Sequence, residues 1–196
     1  LKLYRQKILQ CLEYSHNNGI MHRDIKPGNI VINPTTKELN VIDWGLAEYY
    51  IENFKYTLTV GSRFYKAPEL FLDYRKYDYR IDMWNLGCLF GAILFQIDFL
   101  FCGKSNEDQI IKITEKFGYE EVDNFLNKYK GESFLLSKIK MKIKDFKRKT
   151  WEEYINDGNK YLINDDAIDL LNKLLEFDYQ KRITVTEALK HPYFKE

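Results

Sequence analysis

Ile20-Met21-His22-Arg23-Asp24-Ile25-Lys26-Pro27-Gly28-Asn29 opens the stretch around which this chain is organised, and Asp43-Trp44-Gly45 closes it. Between them lie two short, mostly apolar runs, Ile30-Val31-Ile32 and Leu39-Asn40-Val41-Ile42, separated by the turn signal Asn33-Pro34-Thr35-Thr36. Short apolar runs of this kind on either side of a proline-containing polar tetrapeptide predict a β-hairpin. The hairpin sets Asn29 and Asp43 at neighbouring ends of two paired strands, so two oxygen-bearing side chains share a target. A histidine-arginine-aspartate triplet precedes it, with Lys26 two positions and Asn29 five positions after Asp24. Ala67-Pro68-Glu69 follows downstream.

Working outward, the sequence is mostly helical. Leu1, Tyr4, Ile8, Cys11 and Leu12 recur at helical spacing, and Asn17-Asn18-Gly19 supplies a stop. Ile81 to Phe95 is apolar nearly all round, broken by Asp82 and Asn85. A membrane span needs about 20 apolar residues, so this shorter, interrupted run predicts a buried central helix. Ser105 with Asp108 makes a capping signature for a helix running to Phe117-Gly118. From Tyr119 to about Leu162 no clear period holds over much of the length. Asn164 begins a helix with Ile168, Leu171 and Leu175 on one face; Thr184 with Glu187 starts another, which His191-Pro192 ends.

The length of 196 residues suits one domain with ample core. Its 30 basic and 29 acidic side chains nearly cancel, so global charge names no partner. Cys11, Cys88 and Cys102 share no metal-ligand or redox spacing and sit among apolar residues. Buried, reduced thiols in the cytoplasm and nucleus are the expectation. There is no amino-terminal methionine, and the chain is expected to begin within a longer protein. Lys138-Ile139-Lys140-Met141-Lys142-Ile143-Lys144 alternates strictly, with Lys147-Arg148-Lys149 behind it. Such a run can bind nucleic acid, but a solvated face with its apolar residues packed inward is the commoner arrangement, so nucleic acid is not expected as a partner.

The triplets and their order resemble the catalytic loop, aspartate-aromatic-glycine and alanine-proline-glutamate motifs of protein kinases. Tryptophan at position 44, where phenylalanine is commoner, is similar to the casein kinase 2 catalytic (alpha) subunit family. So are the flanking runs Val41-Ile42-Asp43-Trp44-Gly45-Leu46-Ala47-Glu48 and Gly61-Ser62-Arg63-Phe64-Tyr65-Lys66-Ala67-Pro68-Glu69. Asp82-Met83-Trp84-Asn85-Leu86-Gly87-Cys88 and Lys147-Arg148-Lys149-Thr150-Trp151-Glu152 continue the likeness, which runs from about Tyr14 to Phe194. It matches the carboxyl-terminal lobe alone. The fold this implies is mainly α: a protein-kinase-like carboxyl-terminal lobe over residues 1–196, a helical bundle whose small β-hairpin carries the catalytic residues. The catalytic loop spans 20–33, the activation segment 43–69 and an insert about 119–162. By the same resemblance the amino-terminal lobe is expected to be missing from this sequence, which shows no glycine-rich loop, valine-alanine-isoleucine-lysine strand or partner glutamate helix.

The resemblance implies an ATP-dependent serine/threonine kinase that uses Mg2+ and transfers the gamma-phosphate near acidic residues. Asp24 would be the base, taking the proton of the substrate hydroxyl. Lys26 would face the negative charge of the transferring phosphoryl group, and Asn29 and Asp43 would hold the metal. Val31 falls on the floor of the adenine pocket and Ile42 beside the phosphates. Ser62 is expected to bond Asp24 and Lys26, while Arg63 and Lys66 face acidic residues after the acceptor. Glu69 is expected to pair with Arg182 and Asp82 to brace the catalytic-loop backbone. Three positions depart from the family pattern. Thr59 stands in place of a basic residue, Ala67 in place of glycine, and Gly28 in place of a bulkier polar residue. The implied partners are acidic protein substrates and a regulatory subunit acting through the missing lobe, with no membrane. Two other readings stay open: a binding module that keeps the lobe's surface without transferring phosphate, and another kinase of the same broad group.

Overall fold

The computed structural model describes residues 2–130 and 133–195. The expected helix start at Leu1 and the domain end at Glu196 lie outside them, as do Gly131 and Glu132.

Helix α1 (Lys2–Asn17) buries Ile8, Leu9 and Leu12 and ends where Gly19 takes a left-handed φ of 70°. Strand β1 (Ile20–Met21) leads into the loop at residues 22–29. Strands β2 (Ile30–Ile32) and β3 (Leu39–Val41) pair antiparallel with Ile30 opposite Val41, so the expected hairpin forms, and it stops one residue short of Ile42. Strand β4 (Glu48–Tyr49) returns to pair with β1, tying the segment after Asp43 to the one before His22. A short helix α2 (Pro68–Phe71) follows, then the central helix α3 (Arg80–Phe95), of whose 16 residues 14 are buried. It lies inside the bundle rather than on it, which is why its apolar residues show no face.

Helix α4 (Asn106–Phe117) starts at Ser105, whose hydroxyl accepts from the Asp108 amide. The stretch read as lacking a period then forms two further helices, α5 (Tyr119–Tyr129) and α6 (Phe134–Ile143). Val122, Phe125, Leu126 and Tyr129 do carry a 3.6-residue rhythm, masked by the charges between them. The lysine run lies in and just after α6, and its strict alternation does not govern burial. Leu136, Ile139 and Ile143 turn inward at spacings of three and four, while Met141 is 75 % exposed. Helix α7 (Asp165–Leu174) is capped by Asn164 and buries Leu170, Leu171 and Leu174, leaving Ile168 half-covered. Helix α8 (Val185–Leu189) opens with both halves of a capping box between Thr184 and Glu187. α7 packs on α3, α8 on α1, and α5 and α6 on α4. Of the three free cysteines only Cys88 is buried. Cys102 is exposed between buried Phe101 and Gly103.

One buried ion pair joins residues 113 positions apart. Arg182 Nη1 and Nη2 donate to Glu69 Oε1 and Oε2 at 2.7 and 2.9 Å, both side chains fully buried. The remaining three N–H groups donate to the carbonyls of Glu176, Arg80 and Phe177, so all five guanidinium donors are used. Removing one partner strands a charge in the core. Glu69→Ala is therefore expected to cost about 3–5 kcal/mol. Glu69→Leu combined with Arg182→Met should cost less than either single change, because neither charge is left behind. Urea melts of the three variants measure this, and a double variant at least as unstable as the worse single would refute it.

Candidate functional site

The site begins with a carboxylate that has no water to face. Asp82, fully buried on the first turn of α3, accepts from the Arg23 amide at 2.7 Å through Oδ1 and from the His22 amide at 2.9 Å through Oδ2. His16 Nε2 lies 2.9 Å from the same Oδ2. The loop is thereby pinned, backbone first, to the core helix. Arg23 sits in the left-handed region at φ 68°, a conformation a non-glycine residue keeps only under constraint. Its side chain runs back under the following segment, where Nε donates to the Leu46 carbonyl at 2.6 Å.

His22, fully buried, was quoted in the motif without a task, and the structure gives it one. Its Nδ1 accepts from the Asp24 amide and its Nε2 lies 3.2 Å from the Ile42 carbonyl. Together these contacts require a neutral ring protonated at Nε2. The imidazole thus couples the loop to the hairpin end, with the Trp44 ring edge-on at 4.5 Å. No periodicity signals such a role; only the place of the histidine in the triplet with Arg23 and Asp24 could have suggested it.

Asp24 is 5 % exposed and collects four contacts. Lys26 Nζ donates to Oδ2 at 2.6 Å, the Ser62 amide to Oδ1 at 2.8 Å, and Asn29 Nδ2 to Oδ2 at 3.2 Å and to the backbone carbonyl at 2.8 Å. Lys26 Nζ also donates to Ser62 Oγ at 2.8 Å, closing a ring between the loop and the segment at residue 62. Burial by itself pushes the Asp24 carboxyl up; the Lys26 ammonium and Ser62 overcome it and hold it below the usual aspartate value. The approach is close because residue 61 is glycine. A Cβ there would meet the Arg23 carbonyl oxygen at 2.8 Å, and φ is 73°.

At the hairpin end Asp43 is exposed and left-handed, at φ 60°. The Ile42 amide donates to the Asn29 carbonyl at 2.9 Å, which fixes the two residues side by side. With the Asn29 amide nitrogen spent on Asp24, its Oδ1 is left without a partner among the described residues, and so are both Asp43 oxygens. A neutral amide oxygen and a carboxylate, both uncommitted and carried on neighbouring ends of the paired strands, are the donor types a hard divalent cation prefers, with solvent and a phosphate completing the shell. No cluster of three or more His, Cys, Asp or Glu suited to a metal occurs among the described residues, so such an ion would depend on its nucleotide for the rest. Val31 and Ile42, 49 % and 41 % exposed, present apolar surface beside this pair.

On the other side of Lys26 an open concavity of about 760 Å3 is lined by Ser62, Arg63, Phe64, Asp98 and Phe99. Arg63 lies over the Phe64 ring, and its Nε is buried without a partner among the described residues. Lys66 is drawn inward: Nζ donates to the Leu58 carbonyl at 3.1 Å, and burial lowers its ammonium from the usual value. Thr59 is exposed beside it. The structure therefore brings Asp24, Lys26, Asn29 and Ser62 together, sets Asp43 at the rim, and leaves Arg63 nearer the concavity than Lys66. Asp98 on its wall was not anticipated, because nothing local to it in sequence marks the loop after α3.

A family model, that of the protein kinase domain, matches residues 1–194, and the chain belongs to that family. The competition between burial and pairing at Asp24 can be read directly. The lowered folded value means that Asp24 contributes stability above the unfolded aspartate value of about 3.9, lost as pH falls through the lower folded value. In Lys26→Met burial is less opposed, so the carboxyl should titrate at higher pH than in the parent. Carbon-13 NMR of the Asp24 carboxyl checks this, and an unchanged midpoint would show that Lys26 does not hold the charge. Gly61→Ala should perturb the same resonance by pushing Ser62 away.

Proposed function

We propose that this protein kinase transfers the gamma-phosphate of ATP, bound with Mg2+, to serine or threonine hydroxyls followed by acidic residues, as enzymes of the casein kinase 2 type do. The observation that carries this reading is the ring of bonds joining Asp24, Lys26 and Ser62. An ionised carboxylate held low by its partners can orient a hydroxyl and take its proton as the oxygen attacks phosphorus and the bond to the departing diphosphate breaks. Lys26, already at 2.6 Å from Asp24, would face the charge spread over the transferring oxygens. Asn29 and Asp43 would hold Mg2+, and Val31 and Ile42 would supply apolar surface under the base and beside the phosphates. Glu69, Asp82 and Arg182 keep this arrangement rigid.

For substrate choice the cation to weigh is Arg63, whose Nε has no partner among the described residues. Lys66 already gives one donor to Leu58, and Thr59 brings no charge. A preference for acidic substrates, less sharp than in enzymes with a basic residue at that position, follows from this count. The hairpin face with Val31 and Ile42 is uncovered among the described residues, which fits a carboxyl-terminal lobe that works against a nucleotide-clamping one. Residues 1–196 by themselves would then bind nucleotide weakly and turn over little, acting as a binding module. A regulatory subunit would act through the clamping lobe, and cytoplasm and nucleus are the compartments that fit a chain with free thiols.

In protein carrying this chain together with its clamping lobe, labelled ATP and paired peptides test the reading. Asp24→Asn should lower turnover by roughly 10²–10⁴-fold. Lys66→Ala should slow acidic peptides modestly, and Thr59→Arg should widen the gap between acidic and neutral peptides by a few-fold, since exposed pairs contribute about 0.2–1 kcal/mol. Equal rates on both peptides at low salt would leave the kinase assignment standing and remove the acidic preference.

A further inference from the structure

Away from the catalytic loop, a concavity of about 560 Å3 opens beside the segment that precedes Thr57. Five cations line it: Lys55, Arg75, Lys76, Lys128 and Lys130, against Asp73 as the one acid. In a chain whose 30 basic and 29 acidic residues nearly cancel, that ratio is a local excess. Lys128 is committed to Asp178 at 2.6 Å, while no ion pair involves the other four among the described residues. The Asp73 carboxylate is partly occupied, accepting from the Phe134 amide at 3.2 Å.

Beside Lys128, the side chains of Arg75 and Lys76 are also held in place. The Tyr56 amide donates to the Arg75 carbonyl at 2.8 Å and Arg75 Nε to the Tyr56 carbonyl at 2.9 Å, which locks that guanidinium to the rim. Lys76 Nζ donates to Asn53 Oδ1, and Lys130 sits at the left-handed end of α5. Between them Tyr74 and Tyr129 form a stiff wall, rings 4.8 Å apart, with hydroxyls engaged by Tyr179 and Asp178.

From this placement we infer that the concavity is a docking site for an acidic protein segment, separate from the catalytic cleft. The positive charges come from three stretches of chain, at 55, 75–76 and 128–130, and spread around the rim instead of converging on one point. That distribution suits a row of carboxylates rather than a single anion. The tyrosine rings pack on each other at a tilt and are only partly exposed, a poorer platform for a stacked base than an open ring. Docking here needs none of the phosphoryl-transfer chemistry.

A fluorescent peptide with a run of glutamates and no serine, threonine or tyrosine is the probe, followed by anisotropy with the intact chain at low salt. Binding should weaken about tenfold or more in Lys76→Glu combined with Lys130→Glu, two exposed sites where attractive charge contacts become repulsive. It should persist in Lys66→Ala and fade with added salt. Circular dichroism of the double variant shows whether the fold is kept, and Arg75→Gln gives a milder second variant. Equal affinity in the double variant overturns the inference, as does equal binding of the glutamine version of the peptide. Loss confined to Lys66→Ala would put the peptide at the cleft instead and refute a separate site. A single-stranded oligonucleotide of matched charge that binds more tightly with the same dependence would make the partner a nucleic acid and overturn the assignment.

Discussion

A carboxylate in a dry interior needs a partner for each oxygen, and Asp82 finds them in the backbone of the loop at residues 22–29. Two consecutive amides and a histidine ring close around it. The bonds are made to main chain, so the loop's path is set before any of its side chains is considered. His22 then reaches the hairpin and Arg23 the segment at Leu46, each from a position whose backbone Asp82 has fixed. The chemistry-bearing residues inherit their positions from the core helix, and the loop needs no regular secondary structure of its own to be rigid.

Electrostatics and backbone conformation cooperate in the same few residues. Arg23 and Asp43 both hold left-handed φ angles, a cost of the order of 1–3 kcal/mol each, sustained by the bonds around them. Asp24 is raised by burial and lowered further by its partners, so its ionised state depends on Lys26 and Ser62 staying in place. Ser62 comes close only because Gly61 has no side chain to strike the Arg23 carbonyl. A chain of dependence runs from one missing Cβ to the charge state of the carboxylate at the centre.

Much of this was legible in the sequence. The hairpin, the central helix and the caps at Ser105, Asn164 and Thr184 follow from local patterns whose physics is contained in a few adjacent residues. The motif around Asp24 drew together residues that lie together. What escaped notice was what depends on distant partners. The helices at 119–129 and 134–143 have modest apolar faces between dense charges, and their identity rests on packing against α4. The inward turn of Lys66 depends on the path of residues 57–58, and the exposure of Cys102 on its buried neighbours; neither is written in composition. Asp98 reaches the concavity near Lys26 only because α3 ends where it does.

The pairing of Glu69 with Arg182 has a consequence for how the molecule is made. The two residues are 113 positions apart, and both are fully buried once joined. Chains leave the ribosome at about 5–20 residues per second, so on the order of ten seconds separates the synthesis of the carboxylate from that of its partner. During that interval α2 carries a charge with no counterpart, and the site-bearing half cannot close its core around it. Burying Glu69 before Arg182 exists would strand its charge, so the core around the loop, the hairpin and the central helix can close only late in synthesis.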